Sequence, residues 1–272
     1  MTPDETQSLV ARCLTDPDFL SRAQNLEKRG LGDSFREEWD AVELLGADEL
    51  ERIRRFRGFI TKVKHSAIRR HIPATLALMG ILDVEHSFFC DISVDYVTAR
   101  ADGPLEHQRH LDLISSWLDR FLDMQPEHIA IPVAETFAHE QLLFSLGQRN
   151  PTAVCTSDMT WHGTLTLVPK SLDVVAICSD FVTRTLTRSS MTKREHVLCY
   201  WHTGVDKAVL ILEVDLLTAA VFSSLKSGGS LVEVQDTMER SGLPQVETLI
   251  IKTIAAKAAA RGFVTLHGNW LL

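Results

Sequence analysis

From residue 172 to the end of the chain, the residue pattern switches from a repeat of two to a repeat near 3.6 and back again. No other stretch restricts the fold as strongly. Residues 172–182 are dense in Val, Ile and Phe. Residues 195–203 set Val197, Cys199 and Trp201 on one face, and residues 207–214 alternate Val209, Ile211 and Glu213 against Leu210, Leu212 and Val214. Three strands in a meander are predicted, the second and third closed into a hairpin through residues 202–206. Asp215 then opens a helix through Leu216, Ala219, Ala220, Phe222 and Leu225, which Gly228 and Gly229 stop. Ser230 with Glu233 three residues later is a capping-box signature for a second helix over 231–238. Gly242 and Pro244 break the chain before a third helix over 245–261, and residues 263–266 make a closing strand or wing.

The third helix has two apolar faces. At 3.6 residues per turn, Val246, Leu249, Thr253, Ala256 and Ala260 fall on one side and Ile251, Ile254, Ala255 and Ala258 roughly opposite, with Lys252 on one flank and Lys257 and Arg261 on the other. One face packs on the preceding helices. The other needs a cover, which either the amino-terminal region or an incoming peptide supplies.

The first 122 residues read as helical. Asp16-Pro17-Asp18 caps a helix through Phe19, Arg22, Ala23 and Leu26, and a second, over 34–45, stops at Gly46. Leu50, Ile53, Phe56, Ile60, Val63 and Ile68 recur at spacings of three or four, marking one long helix or two joined near Gly58. The opposite side carries Arg52, Arg54, Arg55, Arg57, Lys62, Lys64, Arg69 and Arg70 in a chain whose formal net charge is −8. Such a face is either solvated or a docking surface for an acidic partner, and Arg54, Arg57, Lys62, Lys64 and His65 are the expected partner-interface residues. Further helices are predicted over 73–79, 105–122 and 132–146. Between them and the closing stretch, Trp161 to Val168 alternates as a strand.

Recognisable chemistry is sparse. Five cysteines at wide, irregular spacing form neither a disulfide framework nor a CxxC unit. Among the histidines, His107 and His110 share a face that reads as solvated surface. Glu135 and His139 sit four apart on a predicted helix beside His128 and Glu140, where a capping or surface role is expected. His196, Tyr200 and His202 share a sheet face that reads as half-exposed. No nucleophile elbow, phosphate loop, dinucleotide fingerprint or HExxH occurs. No catalytic residue and no metal ligand is therefore assigned. The acidic balance, at a pI of about 5.8, weighs against a nucleic-acid partner. Without a long apolar run or the pattern of a signal peptide, no membrane partner and a cytoplasmic location are expected.

The stretch VLILEVDLLTAAVFSSLKSGGSLVEVQDTM, from 209 to 238, resembles the strand, helix, glycine turn and second helix of the winged-helix, PqqD-like recognition element of ribosomal peptide modification. That resemblance implies a peptide added as a strand on the third strand of the sheet, in a groove beside the last helix. Carried onto this chain, the peptide-binding residues are Val209, Ile211, Glu213, Ile251, Lys252, Ala255 and Ala258. Upstream, FRGFITKVKHSAIRRHIPATLALMGILDVEHSFFCDI, from 56 to 92, is similar to TglI-like helical partner subunits of multinuclear non-heme iron oxidative enzymes, as in 3-thiaglutamate biosynthesis. Those partners bring a peptide to an iron enzyme of TIM-barrel fold, so iron is expected in that partner and no cofactor in this chain. The expected fold class is α+β: a helical domain over 1–125, a bridging segment over 126–171, and a winged-helix-like recognition domain over 172–272 with a three-stranded antiparallel sheet plus three helices. A winged-helix transcriptional regulator and a metal-dependent hydrolase are the rival readings. On the groove reading, Ile251→Asp abolishes peptide binding and leaves the fold intact.

Overall fold

The computed structural model describes residues 3–16, 19–24, 36–64, 66–101, 107–148, 154–155, 159–203, 208–226, 231–240, 247–267 and 270. Helices and small antiparallel sheets combine in an α+β fold. The chain divides into two compact units. The first comprises Met1–Phe137 with Thr183–Arg188, and the second comprises Ala138–Val182 with Ser189–Leu272.

The first unit contains α1 (Pro3–Thr15), α2 (Arg36–Lys64), α3 (Ser66–His71), α4 (Pro73–Ile81), α5 (Glu85–Ala101), α6 (His107–Leu122) and the start of α7 (Glu127–Gln148). Residues 19–24 are also helical, and Asp16 caps that segment by accepting the Phe19 N–H at 3.0 Å. The expected stop at Gly46 is a kink instead: φ is 69° and ψ 169°, a conformation glycine adopts without steric cost, and the helix resumes beyond it. Gly58 does not divide α2. It lets the helix approach α5 so closely that a Cβ there would meet the Cys90 sulfur at 2.4 Å. Helix α5 has no counterpart among the predicted elements. Its Phe88 is fully buried and meets Phe121 of α6 edge to face, ring centroids 5.5 Å apart.

The second unit contains the end of α7, β1 (Val154–Cys155), β2 (Met159–Trp161), β3 (Thr164–Leu172), α8 (Val174–Thr183), β4 (Lys193–His202), β5 (Leu210–Val214), α9 (Leu216–Lys226), α10 (Leu231–Arg240), α11 (Thr248–Ala260) and β6 (Val264–Leu266). Two antiparallel sheets form, in the orders β1-β2-β6 and β3-β4-β5. The strand predicted over 172–182 is a correction: Leu172 ends β3, and residues 174–182 belong to helix α8. Asp173 Oδ1 accepts the Ala176 N–H at 3.0 Å, a cap that starts a helix, and Val174 and Ile177 then bury on one face at helical spacing.

The first strand of the larger sheet is instead β3, within the stretch read as a bridge. The strand expected from Trp161 to Val168 is split at Gly163, whose φ is 115° and where a Cβ would lie 2.3 Å from the His202 carbonyl oxygen. The closing strand β6 joins β2, with Trp161 opposite Val264, so it does not extend the larger sheet. Asp215 caps α9 as expected, accepting the Thr218 N–H at 2.6 Å. Ser230, Gly228 and Gly229 lie outside the described residues.

Candidate functional site

The register of the larger sheet assigns its residues to two faces. Val168 lies opposite Leu198, and Leu198 opposite Glu213, so Val168, Leu198, Tyr200, Ile211 and Glu213 share one face. Leu165, Cys199, Trp201, Leu212 and Val214 share the other. The second face is closed by α9, α10 and α11 around Trp161, Trp201, Phe222, Leu225 and Phe263. On the first face, Leu142, Leu143 and Leu146 of α7 and Val174 at the start of α8 pack around Leu198 and Tyr200.

Toward β5 that cover is incomplete, and a groove of about 400 Å³ remains. Asp173, Val175, Ala176 and Ser179 form its helical wall, and Arg194, His196, Leu198, Ile211 and Glu213 form its sheet wall. It runs beside β5, the terminal strand of the sheet, whose outer edge meets no further strand among the described residues. Such an edge presents backbone donors and acceptors ready for another strand.

One end of the groove is polar. The Arg194 guanidinium donates to Asp173 Oδ2 at 3.2 Å and to Glu213 Oε1 at 2.7 Å. His196 Nδ1 donates to the Arg194 carbonyl oxygen at 2.7 Å. The other end, at Val175, Leu198 and Ile211, is apolar.

The predicted peptide-binding residues separate into two groups. Ile211 and Glu213 line the groove, and Val209 packs half-buried in the cluster beside it. Ile251, Ala255 and Ala258 are corrected: all three are buried in the core on the opposite face of the sheet, packed with the residues of α9 and α10. Lys252 lies on the same helix and is not in the groove lining. The open side of α11 is the other apolar face, where Leu249 is 62% exposed. The groove wall that the sequence sought in α11 is therefore α8. Asp173, Arg194 and the α8 residues lie outside the sequence-based expectation, since the Val, Ile and Phe of 172–182 satisfy strand propensity; the signal for the helix is an Asp followed by Val174, Ile177 and Phe181 at spacings of three and four.

On the basic side of α2, Arg57 is corrected as a partner-interface residue. Arg57 is 4% exposed, and its Nη1 donates to the Cys13 carbonyl at 3.3 Å within the unit's own core. Burial pushes its pKa down despite the nearby Asp16 charge. Arg54 pairs with Asp91 of α5 and with Glu51. Lys62 and Arg69 both reach Glu85, each at 2.6 Å. The Lys64 side chain and His65 lie outside the described residues.

The histidine groupings also change. His139 is 2% exposed, and its Nδ1 shares a 2.6 Å hydrogen bond with the hydroxyl of the fully buried Tyr200. Burial, with the Lys170 charge second, pushes the His139 pKa from 6.5 down to about 4, so the ring is neutral. Cys178 is pushed up to about 12 by burial and then by Glu140, so it remains a thiol. His202 is fully buried rather than half-exposed, and neither ring nitrogen has a partner among the described residues. The side chains of His107 and His110 lie outside the described residues. No group of three metal-ligating residues converges among the described residues, and no helix there is long and apolar enough to cross a membrane.

No protein-family model matches the chain, and no curated protein matches it.

Proposed function

We propose that this chain is a non-catalytic partner protein that binds a ribosomally made precursor or carrier peptide as an added strand on β5 and delivers it to an iron-dependent oxidase subunit. One observation carries the reading: a terminal strand, whose outer edge is open among the described residues, lies along a groove that the sheet and α8 leave uncovered. β-Augmentation needs both parts. Edge amides and carbonyls supply sequence-independent hydrogen bonds, and side chains alternating into a groove supply register. The order of the hairpin β4–β5, three helices and β6 is compatible with a winged-helix-like recognition domain. The iron-dependent partner rests on the resemblance over 56–92.

The test is a fluorescence titration with short extended peptides selected on the immobilised chain. Methylating alternate backbone nitrogens of a bound peptide should weaken it at least about tenfold, the loss expected when an edge hydrogen bond is replaced by a clash. Methylation at the intervening nitrogens should change little. Equal tolerance at every backbone nitrogen would rule out strand addition. For the partner, a stoichiometric complex in which iron copurifies with the second subunit is the expected result.

A further inference from the structure

Two features of the groove have no counterpart in a generic edge-strand site: its ends differ in chemistry, and they lie two residues apart on the same strand face. At one end Ile211, Leu198 and Val175 are apolar. At the other, Asp173 and Glu213 hold Arg194 between them, leaving two carboxylates against one guanidinium. Both Asp173 oxygens are engaged, Oδ1 by the Ala176 N–H and Oδ2 by Arg194. Glu213 Oε1 accepts from Arg194, and its Oε2 has no hydrogen-bond partner among the described residues. His196 Nδ1 is taken up by the Arg194 carbonyl oxygen. The polar end therefore offers surplus negative charge and acceptors, the complement of a cationic side chain.

Resting on the strand-addition reading above, the geometry points to a peptide that carries an apolar side chain and, two residues away, a Lys or Arg. In an added strand, side chains two apart point to the same side, about 6.6 to 6.8 Å apart along the chain. An apolar side chain placed beside Ile211 thus brings the second one beside Glu213. The basic residue meets Glu213 directly, and the already paired Asp173–Arg194 contact fixes the carboxylate that receives it.

The experiment uses the full chain and a set of fluorescein-labelled ten-residue peptides on a Val/Thr background, with Leu at one position and Lys, Gln or Glu two residues away in either direction. The Lys peptide should bind about fivefold more tightly than the Glu peptide, as befits a partly exposed charge pair. Glu213→Gln should remove that difference, and Glu213→Lys should reverse it, with the far-ultraviolet circular dichroism of both variants unchanged. Equal binding of the Lys and Glu peptides to the wild-type chain, with sensitivity to backbone methylation retained, would overturn the charge preference and leave strand addition standing. Failure of every peptide to bind would overturn both.

Discussion

At the residue scale, the clearest physical statement concerns His139. Its ring is held neutral in a buried hydrogen bond to Tyr200, its pKa lowered from 6.5 to about 4, and an unfolded chain would protonate it near the ordinary value. Between those two values the unfolded state binds more protons, so stability is full above about pH 6.5 and falls as the pH drops toward 4. The whole shift corresponds to about 3 kcal/mol. The urea midpoint should therefore fall from pH 7 to pH 4.5 by more in the wild-type chain than in His139→Gln. A parallel decline in the two proteins would show that His139 is not the titrating group. None of this was legible from spacing. The i, i+4 relation of Glu135 and His139 suggested a surface pair, whereas the partner of His139 lies 61 residues away on β4. Arg57 teaches the same lesson, since eight cations on one helix side read as a surface until a carbonyl of Cys13 takes one of them inside.

At the element scale, α11 and α8 exchange the roles that periodicity suggested. Both faces of α11 are apolar enough to bury, and the helical wheel alone gives no reason to choose between them. The choice is made by the core on the second face of the sheet: Ile251, Ala255 and Ala258 bury in one cluster with Trp201, Phe222 and Leu225, and the Leu249 side is left outward. Ile251→Asp should then unfold the second unit, because an unpaired carboxylate replaces a fully buried side chain at a cost above about 4 kcal/mol. Leu249→Asp should stay within about 0.5 kcal/mol of wild type. Urea denaturation followed by tryptophan fluorescence distinguishes these outcomes, and an Ile251→Asp chain with wild-type stability would contradict the assigned packing. Helix α8 was hidden for a different reason. Its run of Val, Ile, Cys and Phe satisfies strand propensity, and only the Asp173 cap and the pairing of β4 with β3 on one side and β5 on the other decide for helix. The hairpin strands β4 and β5 and the helix opened by Asp215 were legible because alternation and a cap residue act locally.

At the scale of the whole molecule, the chain has two compact units with apolar cores of their own, Phe19, Leu50 and Ile53 contributing to one and Trp161, Trp201 and Phe222 to the other. Two compact units are expected to show separate transitions on heating. Phe88→Ala should lower the melting of the first unit and Phe222→Ala that of the second, each by about 3 to 5 kcal/mol, the cost of emptying a buried aromatic site. Scanning calorimetry reads both. A single transition lowered equally by both variants would show that the units melt as one. By itself, the sequence determined the α+β class, the strands β4 and β5, the helices that follow them and the caps at Asp16 and Asp215, because propensity, alternation and capping act within a few residues. Only the tertiary structure decided which face of α11 is buried, which helix walls the groove, and where the charges of α2 find their partners. Those outcomes depend on residues tens of positions apart meeting in space, and no local periodicity carries that information.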